Sequence, residues 1–407
     1  MDIAIMGYGV VGSGVALLLQ KNYESIVARS MQSSLNLKYI LDLLDFPGDP
    51  FESLIIHDFE TILRDENIGI VVETMGGLNP AYDFVRRCLL AGKSVVTSNK
   101  ELVATKGYDL LCVAKEHNVN FLFEASVGGG IPIIRPLTQC LAANEITEVA
   151  GILNGTTNFI LTRMIENAMP FDHALRLAQN NGYAETDPTA DIDGHDACRK
   201  ICILAALSFG QHVYPEQVRT QGIAALTTDD VEAAGDFGYA VKLLGRAKRL
   251  PNGRISCSVA PTLVPRESML ANVRDVYNAI LVRGNAIDDV IFYGRGAGKL
   301  PTASAVVADI IDCAKHTTRR RFFGWEAGGT HFVADADDDA VNMFVRAIAD
   351  DTDQARQQLV GLFPTMEEKK TASGSLCFMT GVATPRLVKQ ALASIDGLQV
   401  TQMLRVL

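Results

Sequence analysis

No Cys-x-x-Cys pair occurs in this 407-residue chain, although it carries eight cysteines, at 88, 112, 140, 198, 202, 257, 313 and 377. The closest two, Cys198 and Cys202, are spaced as neighbours on a helix face. Neither a disulfide framework nor a zinc site is expected, and a reducing cytoplasm is the expected setting. The seven histidines contain no His-x-x-x-His spacing, so a transition-metal centre is not expected either. Cations are scarce. Lys and Arg number 37 against 47 Asp and Glu, a net charge of −10, which suits nucleic acid poorly because phosphate binding needs clustered cations. The one basic run, Arg319-Arg320-Arg321, reads as a solvated loop or helix end. One stretch, Ile3 to Gln20, lacks charge and approaches the length of a membrane span. Asp2 stands where a secretory signal carries cations, and Gly7, Gly9, Gly12 and Gly14 interrupt the run, so neither a membrane partner nor secretion is expected.

What remains is an ordinary globular composition, 48% apolar and 21% charged, which excludes wholesale disorder. At this length a single core normally splits, and two or three domains are expected.

The uncharged N-terminal stretch is better read as strand, turn and helix. Ile3-Ala4-Ile5-Met6 is a short apolar run of the buried parallel-strand type. It enters Gly7-Tyr8-Gly9-Val10-Val11-Gly12, and Val15 to Gln20 continues as helix. In a G-x-G-x-x-G turn the first glycine permits the tight bend, the second admits pyrophosphate to the backbone, and the third lets helix pack on strand. The helix N-terminus adds free N–H groups and a partial positive charge. The second strand, Leu37 to Leu41, closes at Asp42, where an acid accepts both ribose hydroxyls of NAD and repels the 2′-phosphate of NADP. Asp42 lies 30 residues beyond Gly12, against a usual spacing of about 20. Asp45 competes for the role. Further strands at Ile68–Thr74, Ser94–Thr97 and Asn120–Phe123 alternate with helices at Ala81–Leu90 and around Tyr108–Glu116, which implies a parallel sheet. Ligands of such a sheet sit beyond its carboxyl ends, where Gly7–Gly12, Thr74–Gly77, Asn99-Lys100 and Glu124-Ala125 all fall.

Past Gly128-Gly129-Gly130 the pattern changes. Glu185, Asp187, Asp191, Asp193 and Asp196 put five carboxylates within twelve residues. A calcium loop fails on register, because its first position would be Thr189 and its bidentate glutamate Lys200. The loop is therefore either solvated acid or a binder of cationic substrate. The helix that follows runs from Asp196 to Leu207 with Asp196 and Lys200 on one face, and that face continues through Ile203, Leu204 and Leu207. An inward-pointing ammonium is costly unless paired or lining a pocket. Lys200 is thus either the base of a salt bridge at the helix start or a proton-transfer group tuned by burial and acid neighbours.

Taken in order, Gly7–Gly12, Asn99-Lys100-Glu101, Glu124–Pro132, Asn154-Gly155-Thr156-Thr157-Asn158, Gly182-Tyr183-Ala184-Glu185 and Asp191–Lys200 give the chain its likeness: it resembles homoserine dehydrogenase over nearly its whole length. The resemblance implies NAD(P)-linked interconversion of L-homoserine and L-aspartate 4-semialdehyde, on the route to threonine and methionine. Lys200 then matches the catalytic proton donor and acceptor. Glu185 and Asp196 match substrate-binding acids, Asp191 a supporting carboxylate, and Lys100 a lysine facing cofactor and substrate. Cofactor contacts fall on Gly7, Tyr8, Gly9, Val10, Val11, Gly12, Asp42, Lys100, Gly182 and Gly298, with NAD favoured over NADP. Gly294–Thr302 looks like the family's returning glycine loop. Glu124, Val127, Gly129 and Ile131 match a monovalent-cation site, commonly sodium, built from one carboxylate and loop carbonyls. A homodimer or homotetramer is implied.

The tail reads as strand Val341–Ala349, helix Ala355–Phe363, two short strands within Lys369–Val382, helix Pro385–Ile395 and strand Gln399–Val406. This βαββαβ order looks like an ACT domain, a ferredoxin-like amino-acid-sensing module. Its first strand-to-helix loop, Asp350-Asp351-Thr352-Asp353-Gln354, has three acids where such modules commonly place glycine, so a structural or pairing role is expected ahead of threonine binding. The expected architecture is an α/β Rossmann-type nucleotide domain (1–132), an α+β catalytic and dimerisation domain (133–299), a return segment packing on the nucleotide domain (300–330) and an ACT-like domain (338–407). Two other readings are a catalytically idle nucleotide-binding sensor and another amino-acid dehydrogenase. The joint presence of Lys100, Glu185, Asp196 and Lys200 discriminates against the first, and the Gly182–Lys200 block against the second.

Overall fold

The computed structural model describes residues 1–318, 320–370 and 375–407. Arg319 of the basic run and residues 371–374, inside the stretch expected to hold two short strands, lie outside the described residues. The chain forms two compact units, one of Met1–Glu145, Cys202–Pro215 and Phe292–Gly329, the other of Ile146–Ile201, Glu216–Ile291 and Thr330–Leu407.

The first unit is built on strands β1 (Asp2–Met6), β2 (Asn36–Leu41), β3 (Ile55–Ile56), β4 (Ile68–Glu73), β5 (Ser94–Thr97) and β6 (Phe121–Leu122). They pair in parallel in the order β3-β2-β1-β4-β5-β6. This is the doubly wound Rossmann order, whose strand direction of travel reverses between β1 and β4. Ile3, Ala4, Ile5 and Met6 are fully buried, as expected of a strand covered on both faces. The helix Val10–Lys21 follows the glycine turn. A second helix, Tyr23–Ser30, absorbs the extra length before β2 and accounts for the long spacing to Asp42. The two-residue β3 is too short to show in an apolar pattern.

A late segment, the helix Lys299–Lys315, completes this core. Its Ala303, Val306, Val307 and Ile310 join Val15, Ala16 and Leu19 of the first helix in one apolar cluster. Each fully buried valine or isoleucine there stabilises by about 1.5–3 kcal/mol. Gly14 makes the approach possible, since a side chain there would strike the Lys299 carbonyl and the Ala303 methyl.

The second sheet contains β7 (Ile146–Ile152), β8 (Arg219–Thr220), β9 (Tyr239–Arg249), β10 (Ile255–Pro265), β11 (Tyr277–Gly284), β12 (Asp288–Arg295), β13 (Val333–Ala334), β14 (Val341–Ala349), β15 (Glu367–Lys370), β16 (Leu376–Ala383) and β17 (Leu398–Val406). Its order is β12-β11-β7-β9-β10-β17-β14-β16-β15, with β8 and β13 also on β10. Strands β9 and β10 pair antiparallel along their whole length.

The last four strands and the helices Thr352–Leu362 and Pro385–Ala393 have βαββαβ order, with the strands side by side as fourth, first, third and second. Their own apolar cluster includes Val345, Leu359, Phe378, Val388 and Leu392. The segment is nevertheless continuous with the larger sheet, because β17 pairs in parallel with β10 at Thr262–Arg405 and Leu263–Val406. Tail boundaries differ from the sequence reading by one to three residues, and one of the shifts has a visible cause. The first tail helix begins at Thr352 rather than Ala355 because Asp351 accepts the N–H groups of Asp353 and Gln354. The acids read as loop are a helix cap.

Candidate active site

Gly7 leaves β1 in the left-handed region, at φ +95°, where a side chain would meet the backbone of Thr74 and Met75. At Gly12 a side chain would strike the Gly7 carbonyl. Around Gly9 there is nothing for one to meet, so the backbone is open to an incoming group. The first-turn N–H groups of the helix, which lack intrahelical acceptors, start at this opening. Tyr8 turns the other way. Its ring is buried edge-on against Phe46, and its hydroxyl donates to Asp49 Oδ1 at 2.8 Å. Burial first, then Asp49, pushes the phenol's pKa up.

Asp42 sits against this turn. Its Oδ2 accepts the Tyr8 N–H at 2.7 Å and its Oδ1 accepts that of Leu44 at 3.0 Å. Asp45 is exposed and meets His57 at 3.0 Å instead. Of the two competing acids, Asp42 is the one that touches the glycine loop.

Beneath the neighbouring strand ends lies a polar chain that sequence reasoning passed over. Glu73, fully buried at the end of β4, accepts from Met75 N–H (2.8 Å), Gly76 N–H (3.2 Å) and the Thr97 hydroxyl (2.5 Å). Thr97 in turn accepts the Asn99 N–H at 2.9 Å, and the Asn99 amide donates to Gly77 O at 2.6 Å. Asn99 also caps the helix Lys100–Glu116, which fixes Lys100 as its first residue. Burial pushes the Glu73 carboxyl pKa up. The sequence signal was an acid closing an otherwise apolar strand.

The turn after β6 departs from the expected ligand set. Glu124 is buried, but its carboxylate is committed: Oε1 accepts the N–H groups of Ile133 (2.7 Å) and Ile134 (2.9 Å), and Oε2 that of Arg135 (2.8 Å). The carboxylate therefore caps the next turn of helix. Glu124, Val127, Gly129 and Ile131 all lie buried in this turn. Among the described residues, no three His, Cys, Asp or Glu side chains are grouped to hold a metal. Asp309 steadies the turn by accepting the Glu124 N–H (2.7 Å) and the Arg135 guanidinium (2.6 Å). Gly128 and Gly129 have positive φ, and Gly130 N–H donates to Arg295 O at 3.0 Å. A side chain at Gly129 would strike Gly296 and Ala297. The turn is thus packed against the loop holding Gly298 (φ +126°), which precedes the helix Lys299–Lys315.

The helix His195–Phe209 carries Asp196 and Lys200, both buried and both in the part of it that belongs to the second unit. Lys200 Nζ lies 2.7 Å from Asp196 Oδ2 and 2.7 Å from the Leu153 carbonyl. The i,i+4 ion pair is real, and it is inside. Asn154, the cap of the helix Gly155–Asn167, reaches Asp191 Oδ1 at 2.7 Å and Asp196 Oδ2 at 2.9 Å. Burial raises the pKa of Asp191, and so does the Asp196 charge; Asn154 and Lys200 lower it. Asp191, Asp196 and Lys200 are thus brought together by a residue to which the sequence reading gave no role. Its signal was the run Asn154–Asn158. Glu185 is exposed, on the loop whose Tyr183 carbonyl accepts from Thr156 at 2.5 Å, outside this hydrogen-bonded cluster. Gly182, also exposed, has φ +72° and open space around it.

A glycine turn at the reversal point of such a sheet is where a dinucleotide is received, and a buried lysine beside carboxylates has the form of a proton-transfer group. The class is that of nicotinamide-dependent oxidoreductases. Two family models match the chain, "Homoserine dehydrogenase, NAD binding domain" at residues 7–124 and "Homoserine dehydrogenase" at residues 132–311. The chain belongs to the homoserine dehydrogenase family. It is 44% identical to homoserine dehydrogenase of Helicobacter pylori over 77% of this chain and 74% of that one. Against the enzyme of Bacillus subtilis it is 39% identical, over 77% and 73%. The solved homoserine dehydrogenase of Thiobacillus denitrificans superposes with a TM-score of 0.91 at 34% identity, covering 100% of this chain and 98% of that one. A hyperthermophilic archaeal homoserine dehydrogenase, solved in complex with NADPH, gives a TM-score of 0.65 at 29% identity over 77% and 97%.

Proposed function

We propose that this chain interconverts L-homoserine and L-aspartate 4-semialdehyde, with Lys200 moving the proton at the alcohol oxygen. The observation that carries the reading is the buried Lys200 ammonium, held by Asp196 Oδ2 and Leu153 O at 2.7 Å each. A fixed amine donates to the carbonyl oxygen on reduction and accepts from the hydroxyl on oxidation. Asp191, Asp196 and Glu185 offer anions to the α-ammonium of the substrate, and Lys100 a cation to its carboxylate or to the cofactor. When bound, the nicotinamide supplies the redox step, and the protein supplies placement. The open backbone at Gly9 and the acid Asp42 fit a dinucleotide and support NAD ahead of NADP. The carbonyl oxygens of Glu124, Val127, Gly129 and Ile131 would hold a monovalent cation, most simply sodium, in the buried turn. The βαββαβ order of the tail supports an ACT-like module. Its exposed Ile348, Val360, Val382 and Leu387 support homodimer or homotetramer formation through it. Eight free cysteines, six of them buried, suit the cytoplasm.

Initial rates with homoserine and each of NAD and NADP test the reading, alongside Lys200→Ala. The variant should lose about 10²–10⁴-fold in turnover while binding dinucleotide normally by fluorescence titration. A folded Lys200→Ala protein with wild-type turnover would sink the assignment.

A further inference from the structure

We propose that Asn154 is a positioning residue that bridges Asp191 and Asp196 and fixes them around Lys200, by giving one amide N–H to each. This inference rests on the assignment of Lys200 made above. Asn154 Nδ2 lies 2.7 Å from Asp191 Oδ1 and 2.9 Å from Asp196 Oδ2. An amide nitrogen has two N–H groups, so both are committed. The amide cannot be turned over, because its oxygen accepts the Thr157 N–H at 2.8 Å and the Thr157 hydroxyl at 3.0 Å. Reversing it would set N–H against N–H. Thr157 belongs to the helix that Asn154 caps, so the orientation is fixed by the start of that helix.

Sequence adjacency completes the device. Leu153 and Asn154 follow the end of β7 directly, and Leu153 O accepts Lys200 Nζ while Asn154 holds the ammonium's counter-ion. Asp196 Oδ2 thus receives the ammonium at 2.7 Å and the amide at 2.9 Å on one oxygen, which fixes where the lysine nitrogen can sit. Without the amide, two carboxylates in a half-dry site repel, and one of them takes a proton. Asp191 is the one that would, since burial and the Asp196 charge already push it that way. The charged groups that face Asp191 are Asp196 and Lys200, with Asn154 and Thr156 as its polar neighbours.

The test is the pH dependence of kcat/KM for homoserine in Asn154→Asp and Asn154→Ser. Both keep a capping oxygen toward Thr157, and both lose the two donated bonds. We expect kcat/KM to fall about tenfold or more at neutral pH, with the acid limb of the profile moved up by about one unit or more. Dinucleotide affinity should be unchanged, because that site lies on other residues. Asp191→Asn gives a further readout, independent of the cap, and should abolish the limb. A wild-type acid limb in the folded Asn154 variants, or a limb that persists in Asp191→Asn, overturns the proposal. Lys200→Ala, run in parallel, separates the failures. If it turns over normally, the underlying reading fails and this one with it. If it is inactive while the Asn154 variants keep the wild-type profile, only the role of Asn154 falls.

Discussion

Four side chains show how burial decides the meaning of a charge in this protein. Lys200 and Asp196 would be an ordinary surface pair at helix spacing, worth about 0.3–0.5 kcal/mol; buried, they are the pair on which the proposed proton transfer rests. Glu185, matched to the substrate ammonium by resemblance, is exposed instead. Glu185→Gln should therefore raise the KM for homoserine and leave kcat nearly unchanged, since it removes an anion and no proton-transfer group. An unchanged KM would show that Glu185 only solvates its loop. Lys242 is the opposite case, a buried ammonium with carbonyl partners: Val273 O at 2.5 Å and Asn158 Oδ1 at 3.2 Å. Burial lowers its pKa to about 8. In the unfolded chain it returns to about 10.4. Between those values the unfolded state binds more protons, so this group's contribution to stability rises with pH across that window, by up to about 3 kcal/mol. Urea unfolding at pH 7.5 and 10 should show the increment in wild type and not in Lys242→Met; equal pH dependence in the two proteins would refute it. The neighbourhood of Lys200, Asp196 and Asp191 was legible because a dense acidic run and an i,i+4 spacing mark it. Asn154 and Glu73 were not, because an amide at a helix cap and an acid at a strand end have nothing in sequence to show what they touch.

Helices and strands were legible wherever a run of one period was long enough. The helix Ala81–Leu90 and the strands Ser94–Thr97 and Val341–Ala349 fall on the residues their patterns predict. Misreadings occur where a polar side chain sets the boundary. Asp351 starts its helix three residues early by accepting two backbone N–H groups, at 3.1 and 3.0 Å. Asp351→Ala should cost about 1 kcal/mol of stability in urea unfolding without touching turnover, because its carboxylate accepts the amides of Asp353 and Gln354 in its own helix. A loss of activity at unchanged stability would mean the loop has a further role. Glu124 is the same lesson with a functional consequence. The side chain looks like a cation ligand in sequence, yet its carboxylate accepts three backbone N–H groups and caps the turn Ile133–Arg135.

The whole chain combines a parallel dinucleotide-binding sheet with a mixed sheet that the tail extends through β17. The tail has βαββαβ order, but in its first strand-to-helix loop Asp351 places a carboxylate on the amides of Asp353 and Gln354 that open the helix. Threonine should therefore leave the initial rate with homoserine unchanged; inhibition at millimolar threonine would show that the module senses it by another surface. The sequence by itself determined the class, the glycine turn and the lysine helix, because these rest on local period, on backbone conformations only glycine adopts readily, and on residue spacing. The tertiary structure decided the sheet order, which residues of the expected return segment meet the first helix, the contact of Asp42 rather than Asp45 with the glycine turn, and the joining of Asp191 to Asp196 through Asn154. Each of these is a contact between residues distant in the chain, and whether a polar atom is shared, capped or exposed depends on what burial brings against it.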